Sequence, residues 1–259
     1  MNQYQSGHTG AVDHASAQPV AYADTPTRLA FLRKVYAIFG ASMVLWMGTT
    51  LVVATTPSLM GMAVPLMGNG ILGFILLMAL MFLLLRLTAN SFPMNVVGIG
   101  LFSLLEGFLT APLVYVALAQ GNESAMLALQ QGVFVDDILA QGGGIVTQAF
   151  VITAAVFTGL TAYALTTKRD FLWLKGALWM GFFALLGIML LSFFGIGGGL
   201  MGWGYSLAWV VLMGGFVLYD TQNILKRYPE SMAVSAAATL LIDFIIMFKH
   251  ILLMLMRRD

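Results

Sequence analysis

The chain has no cysteine, only three histidines and few charges: 9% of its 259 residues are Asp, Glu, Lys or Arg. The absence of cysteine excludes disulfides and thiolate chemistry, and so few histidines argue against a zinc or haem site. A soluble globular chain carries roughly a quarter charged residues, so this chain could not cover a water-facing surface. The net charge of +1 gives no indication of a nucleic-acid partner, and no resident cofactor is expected.

Long apolar runs dominate instead, with 60% hydrophobic residues and a mean hydropathy of +0.91. A membrane-spanning helix needs about twenty apolar residues. Only helices and closed barrels satisfy the backbone in lipid, and barrel strands would alternate over about ten residues. The sequence therefore predicts an all-α integral membrane protein in contact with the lipid bilayer. Its seven transmembrane helices are expected at 35–56, 64–85, 94–116, 145–165, 176–194, 202–221 and 233–256.

Two regions follow from this pattern. Residues 1–27 contain no apolar run and are rich in Gln, Ser, Ala and Gly, so they are predicted to be a disordered cytoplasmic tail. Residues 28–259 are predicted to form the seven-helix transmembrane domain. The tail is not expected to be a signal peptide, because it lacks an apolar segment.

The distribution of basic residues predicts the orientation, because cytoplasmic loops are enriched in Lys and Arg. With the N-terminus inside, the predicted outer loops 57–63, 119–144 and 195–200 contain no basic residue. The basic C-terminus would then lie outside, against the rule, unless the last segment re-enters. Its length, uninterrupted by Gly or Pro, favours a full crossing. The residues placed inside are Arg28, Arg33, Lys34, Arg86, Lys168, Arg169, Lys175, Lys226 and Arg227.

Two aspartates interrupt the last two apolar segments, Asp220 in LYDTQNIL and Asp243 in LLIDFIIMFKH. A charge at the bilayer centre costs several kcal/mol unless it is compensated. The connection between the segments is short, which predicts an antiparallel hairpin with both acids about 12 Å from the turn. Helix rotation is not set by this pattern. If the acids face each other, they cannot easily both be ionised, and the pair would be a proton sensor without histidine.

A third acid, Glu106, lies near mid-depth of the third segment, and Pro112 after it can kink that helix and free backbone carbonyls. Carboxylates and carbonyls are ligands that calcium prefers, so Asp220 and Asp243 are predicted transient calcium ligands. The alternative is structural, with the acids hydrogen-bonded across helices to fix their packing. Lys249 is interpreted as a snorkelling anchor, and His250 as an idle residue near the outer interface.

The motif Tyr-Asp-Thr-Gln at 219–222 and the segment LLIDFIIMFKHILL resemble the last two signatures of the transmembrane BAX inhibitor motif family. FTGLTAYALTTKRDF, at 157–171, resembles that family's fourth-segment ending, and the similarity covers about 35–256. The resemblance implies six helices around a central C-terminal helix, and a pH-sensitive leak of calcium ions. It further implies that Asp220 and Asp243 are the sensing pair. A second-helix arginine partners that pair in the family, and Arg86 is the basic residue available there.

Three other classes of membrane protein could carry paired acids or the same helices. An intramembrane aspartyl protease would carry Gly-x-Gly-Asp, but positions 240 and 242 are Leu and Ile, so an enzyme is not expected. A proton-coupled transporter would use the same acids, yet the hydrophobic pattern shows no internal repeat. The main alternative is a non-transporting regulator that binds membrane proteins. The resemblance implies a membrane-anchored ATP-dependent protease as one such partner, and favours a bacterial inner membrane.

Overall fold

The structure, a computed structural model, describes residues 18–67, 70–89, 91–120, 122–135, 138–196 and 202–257. Within these ranges the chain forms α-helices joined by short connections; a single 3-10 turn precedes the first helix, and two of the connections each contain another. The helices are α1 (Thr25–Ala54), α2 (Pro57–Met67), α3 (Gly70–Leu87), α4 (Met94–Ala119), α5 (Glu123–Gln130), α6 (Leu139–Thr166), α7 (Lys175–Phe193), α8 (Trp203–Arg227) and α9 (Ala233–Met256).

Five segments are long and apolar enough to cross a membrane, which confirms the predicted class of all-α membrane protein. The predicted second span, 64–85, is divided between α2 and the longer α3. The predicted sixth span lies in α8, which continues to Arg227 through a polar last third. The count of seven crossings therefore stays a prediction. The five segments are Thr25–Ala54, Met94–Ala119, Gly144–Thr166, Leu172–Phe193 and Glu230–Met256.

The C-terminal helix α9 carries buried residues from Ala233 to Leu252, on most of its turns. It packs against α1, α4, α6 and α8, while α3 packs mainly on α4 and α7 on α8. Four helices thus make the main contacts with α9, and the arrangement of six around one stays a prediction.

Aromatic side chains hold α9 to its neighbours. Phe244 of α9 makes edge contacts with Trp46 of α1 at 6.3 Å and with Phe157 of α6 at 5.5 Å between ring centroids. Next to Trp46, α1 and α4 approach so closely at Gly107 that an added Cβ would lie 2.6 Å from the Trp46 carbonyl oxygen. These contacts fix the faces that α1 and α6 turn toward α9, and the face that α4 turns toward α1.

The N-terminal boundary differs from the prediction. Val20 is buried, and its N–H donates a 2.9 Å hydrogen bond to the carbonyl of Tyr228 in the α8–α9 turn. Helix α1 already begins at Thr25, where the Asp24 side chain caps it. Residues 18–27, which the sequence assigned to the tail, therefore belong to the folded part, because Val20 fills an apolar site against α8. Residues 1–17 lie outside the described residues.

Two of the predicted outer loops are largely helical. Residues 57–63 belong to α2, and the 119–144 connection contains α5, which Asn122 caps by accepting a 3.0 Å hydrogen bond from the N–H of Ala125. Helix α6 begins at Leu139, inside the same predicted loop. Helices α2 and α5 are each shorter than a membrane span, so a search for long apolar runs does not detect them. Much of the third loop, 195–200, lies outside the residues described.

Candidate functional site

The structure brings Asp220 and Asp243 together. They lie on facing sides of the antiparallel helices α8 and α9, with 8% and 4% of their surface exposed. Their carboxyl groups are within range of a side-chain hydrogen bond. An ionised carboxylate only accepts hydrogen bonds, so such a bond requires one of the two to carry the proton. The remaining oxygen, Oδ2 of Asp243, has no partner among the described protein atoms.

Tyr228 lies over the turn end of this pair. Burial raises the pKa of its phenol, a hydrogen bond with Thr239 opposes that shift, and the nearby Asp220 and Asp243 add to it. The phenol is therefore neutral at physiological pH and can donate a hydrogen bond. The same residue accepts the hydrogen bond from Val20 through its carbonyl, so the N-terminal segment holds the turn beside the acid pair.

Gln222, the last residue of the Tyr-Asp-Thr-Gln motif, clamps the connection between α6 and α7. Its amide nitrogen donates to the carbonyl of Arg169 at 2.7 Å, and its amide oxygen accepts from the N–H of Phe171 at 2.8 Å. The side chain is almost fully buried. The sequence did not predict this role, although both sides of the contact lie in segments that resemble the family: the Tyr-Asp-Thr-Gln motif and the segment 157–171.

A second contact holds the same connection. Lys226 forms an exposed 3.1 Å ion pair with Asp170, whose carboxylate also accepts from the N–H of Leu172. The Leu172 hydrogen bond, followed by that from Lys226, lowers the pKa of Asp170 below its usual value. The end of α8 that carries Asp220 is thus attached to the α6–α7 connection at two points.

Glu106 is not beside the aspartates. It forms a 2.6 Å ion pair with Lys249 of α9, with 14% and 26% of the two side chains exposed. Lys249 follows Asp243 by six residues, which places it about 120° around the helix. The snorkelling interpretation of Lys249 is therefore wrong: its charge is held inside the bundle by an acid on α4.

Arg86 lies near the end of α3 and is exposed. The ion pairs found within the described ranges do not include it, so this structure does not bring it to the aspartates. The end of α3 is nevertheless joined to α9 close to Arg86, where the Ser235 hydroxyl on α9 donates a 2.9 Å hydrogen bond to the Thr88 carbonyl. The pairing of Arg86 with an aspartate stays a prediction.

A dedicated metal cage is not present in the part of the chain that the structure describes, where no three His, Asp or Glu side chains cluster. The aspartate pair offers two carboxylates. A calcium ion there would take its other ligands from carbonyls and water, since it prefers six to eight oxygens.

The helices and the buried acid pair define a polytopic α-helical membrane protein with paired ionisable groups in its core. The family model described as "Inhibitor of apoptosis-promoting Bax1" matches residues 124–259. Mouse "Protein lifeguard 4" is 30% identical over 90% of this chain and 87% of its own length. "Bax inhibitor 1" of Schizosaccharomyces pombe is 28% identical over 93% and 82%, and the vaccinia virus "Golgi anti-apoptotic protein" 29% over 91% and 89%. The chain belongs to the Bax inhibitor family, as the motifs predicted.

Proposed function

We propose that the protein is a pH-sensitive leak channel for calcium or other cations, gated by Asp220 and Asp243. The observation that carries this proposal is the burial of both carboxyl groups within hydrogen-bonding range of each other. Intramembrane acids are rare and mark ion or proton pathways more often than they serve packing. The proposed role is transport, with no enzymatic step.

The gate follows from the charge states of the pair. With one proton shared, the two carboxyls hold α8 and α9 together. Loss of that proton leaves two adjacent negative charges in a low dielectric, which repel and separate the helices. An arginine that moved onto the ionised pair would have the opposite effect. The sign of the pH response therefore reports whether Arg86 reaches the pair in another state of the protein.

The proposed ion path uses the acids for transient coordination. Asp220 and Asp243 would bind calcium through their carboxylates, and Glu106 would line the path only after releasing Lys249. The ion pair of Glu106 thus makes it a conditional member of the pathway. The test is calcium flux into dye-loaded proteoliposomes, in which Asp220→Asn and Asp243→Asn must abolish the pH response.

The proposed topology has seven crossings with the N-terminus in the cytoplasm of a bacterium, supported by the basic residues of the inner loops. The cysteine-free chain suits single-cysteine labelling. Ser124→Cys and a cysteine added after Asp259 should react with an impermeant thiol reagent from outside. Lys168→Cys should react only after permeabilisation. Labelling of the added cysteine only from inside would replace the last crossing by a re-entrant helix.

One observation favours the alternative of a membrane regulator that binds a partner such as a membrane-anchored ATP-dependent protease. The segment around Val20 is attached to the α8–α9 turn, so a partner that holds residues 1–17 would act beside the acid pair. Deletion of residues 1–17 spares this contact. A leak channel should keep its flux after the deletion, whereas a regulator should lose its effect on the partner.

A further inference from the structure

The interface between α8 and α9 carries polar groups at a spacing of seven residues. Asp220 faces Asp243 near one end, and Arg257 donates to the Ser206 hydroxyl at 3.5 Å near the other. His250 lies midway, seven residues from both Asp243 and Arg257 on α9. Seven residues are two helical turns, so all three lie on one face, about 10 Å apart along the axis. We call this face, with Asp220 and Ser206 opposite it, the polar seam.

His250 is a packed member of this seam. Its ring stacks on Trp209 of α8, with centroids 5.2 Å apart and 9° between the planes. Tyr205 contacts it edge-on at 5.9 Å. These contacts pack His250 against α8, whereas its place near the outer interface and its lack of a role stay predictions.

Buried polar atoms without a protein partner concentrate along the same interface. Among the described residues, Oδ2 of Asp243, Nδ1 of His250 and Oγ1 of Thr221 lie on α8 or α9, and Oγ1 of Thr161 lies on α6. Asp243 is 4% exposed and Thr221 is 2% exposed. Buried polar groups are hydrogen-bonded as a rule, and ordered water is the usual partner where protein supplies none. These atoms mark the seam as a place that takes up water.

We propose that the polar seam is a hydrated proton path from the aspartate pair to the Arg257 end of the bundle, with His250 as the intermediate carrier. The proposal rests on the proposed function, since it explains how the pair senses the pH of that side. A proton reaches one ring nitrogen through water and leaves from the other, so the ring returns to neutral and no electron is transferred.

The charges around His250 suit a transient carrier. Lys249 and Arg257 place two positive charges close to His250 on its own helix, and like charges repel in a low dielectric. Tyr205 faces it from α8, and Glu106 on α4 is engaged by Lys249. Helix α6 contains no charged residue, and the charges of α1 lie in its first third, toward the α8–α9 turn.

Nuclear magnetic resonance tests the hydration directly. His8→Gln and His14→Gln in the full chain leave His250 as the one histidine, because the sequence contains three. With 15N-histidine in liposomes, magnetisation from water should reach both ring nitrogens of His250. Ring nitrogens that receive nothing from water would overturn the proposal. This outcome is independent of whether the protein conducts calcium.

Flux with a separate pH on each side tests the direction. His250→Phe keeps an aromatic ring against Trp209 but has no nitrogen. In this variant, the change of flux with pH on the Arg257 side should be at least tenfold smaller than in the unmodified protein. The change of flux with pH on the opposite side should be the same. Leu255→Phe, on α9 about 140° from His250, is the matched control and should behave as the unmodified protein. A full two-sided response in His250→Phe would contradict the proposal. If the unmodified protein shows no flux, the proposed leak function is wrong. The transfer of magnetisation from water to His250 then decides by itself whether the polar seam is hydrated.

Discussion

Lys249 of α9 and Glu106 of α4 form a 2.6 Å ion pair in the interior of the helix bundle, between residues 143 positions apart in the chain. A different face of the same helix, about 120° around its axis, meets α8 through the aspartate pair. Helix α9 therefore contributes one partner to each of two separate polar contacts. A movement of α9 that opens one contact also strains the other, because a helix moves as a rigid element.

The Glu106–Lys249 pair should show strong coupling in unfolding experiments. Removal of one partner from a shielded pair leaves an uncompensated charge, so Lys249→Met should destabilise the protein by about 3 kcal/mol. The double variant Glu106→Gln, Lys249→Met should recover most of that loss. Thermal unfolding in detergent measures both. A double variant no more stable than Lys249→Met would show that the charge pairing is not what holds α4 to α9.

Gln222 should control the order of the α6–α7 connection. Gln222→Ala removes two hydrogen bonds to the backbone of the α6–α7 connection, and each makes a net contribution of about 1 kcal/mol. Hydrogen exchange at the Phe171 amide should speed up by about tenfold or more. Gln131→Ala, an exposed glutamine in the α5–α6 connection, is the control and should leave that amide unchanged. Unchanged exchange of the Phe171 amide in Gln222→Ala would show that Gln222 does not order the α6–α7 connection.

The contact between Asp170 and Lys226 should depend on pH. Because the folded protein lowers the pKa of Asp170, its stabilising contribution is present above the unfolded pKa of about 3.9 and is lost as pH falls through the lower, folded value. Asp170→Asn should therefore reduce the unfolding temperature at pH 7, and the difference from the unmodified protein should shrink at pH 3. A difference that grows on acidification has the wrong sign for this contact.

Gly107 should tolerate no side chain. An added Cβ would lie 2.6 Å from the Trp46 oxygen and 2.8 Å from the Thr49 Cβ, so α1 and α4 would have to separate. Gly107→Ala should destabilise the protein by about 1–3 kcal/mol. Gly100→Ala is the control and should have little effect, because Gly100 lies two turns earlier in α4 and an added Cβ there meets nothing within 4 Å. Equal effects of the two changes would exclude steric contact as the cause.

The sequence predicted the α8–α9 hairpin and the similar depth of its two acids because both depend on local features, apolar length and a short connection. It could not predict that Asp220 and Asp243 face each other. A membrane helix is apolar on its lipid face as well as its packed face, so no amphipathic stripe reveals its rotation. The pairing of Glu106 with Lys249 was hidden for a further reason. It depends on which helices become neighbours, and residues far apart in the chain carry no local sign of that.

Calcium flux into dye-loaded proteoliposomes across a pH series tests whether the aspartate pair gates the protein. The unmodified protein should conduct with a pH-dependent rate, and Asp220→Asn or Asp243→Asn should each abolish that dependence. Arg86→Gln should change the sign of the dependence if the arginine reaches the ionised pair. Flux no higher than that of empty liposomes at every pH, from protein shown to be folded, would contradict the account and make the acids packing residues.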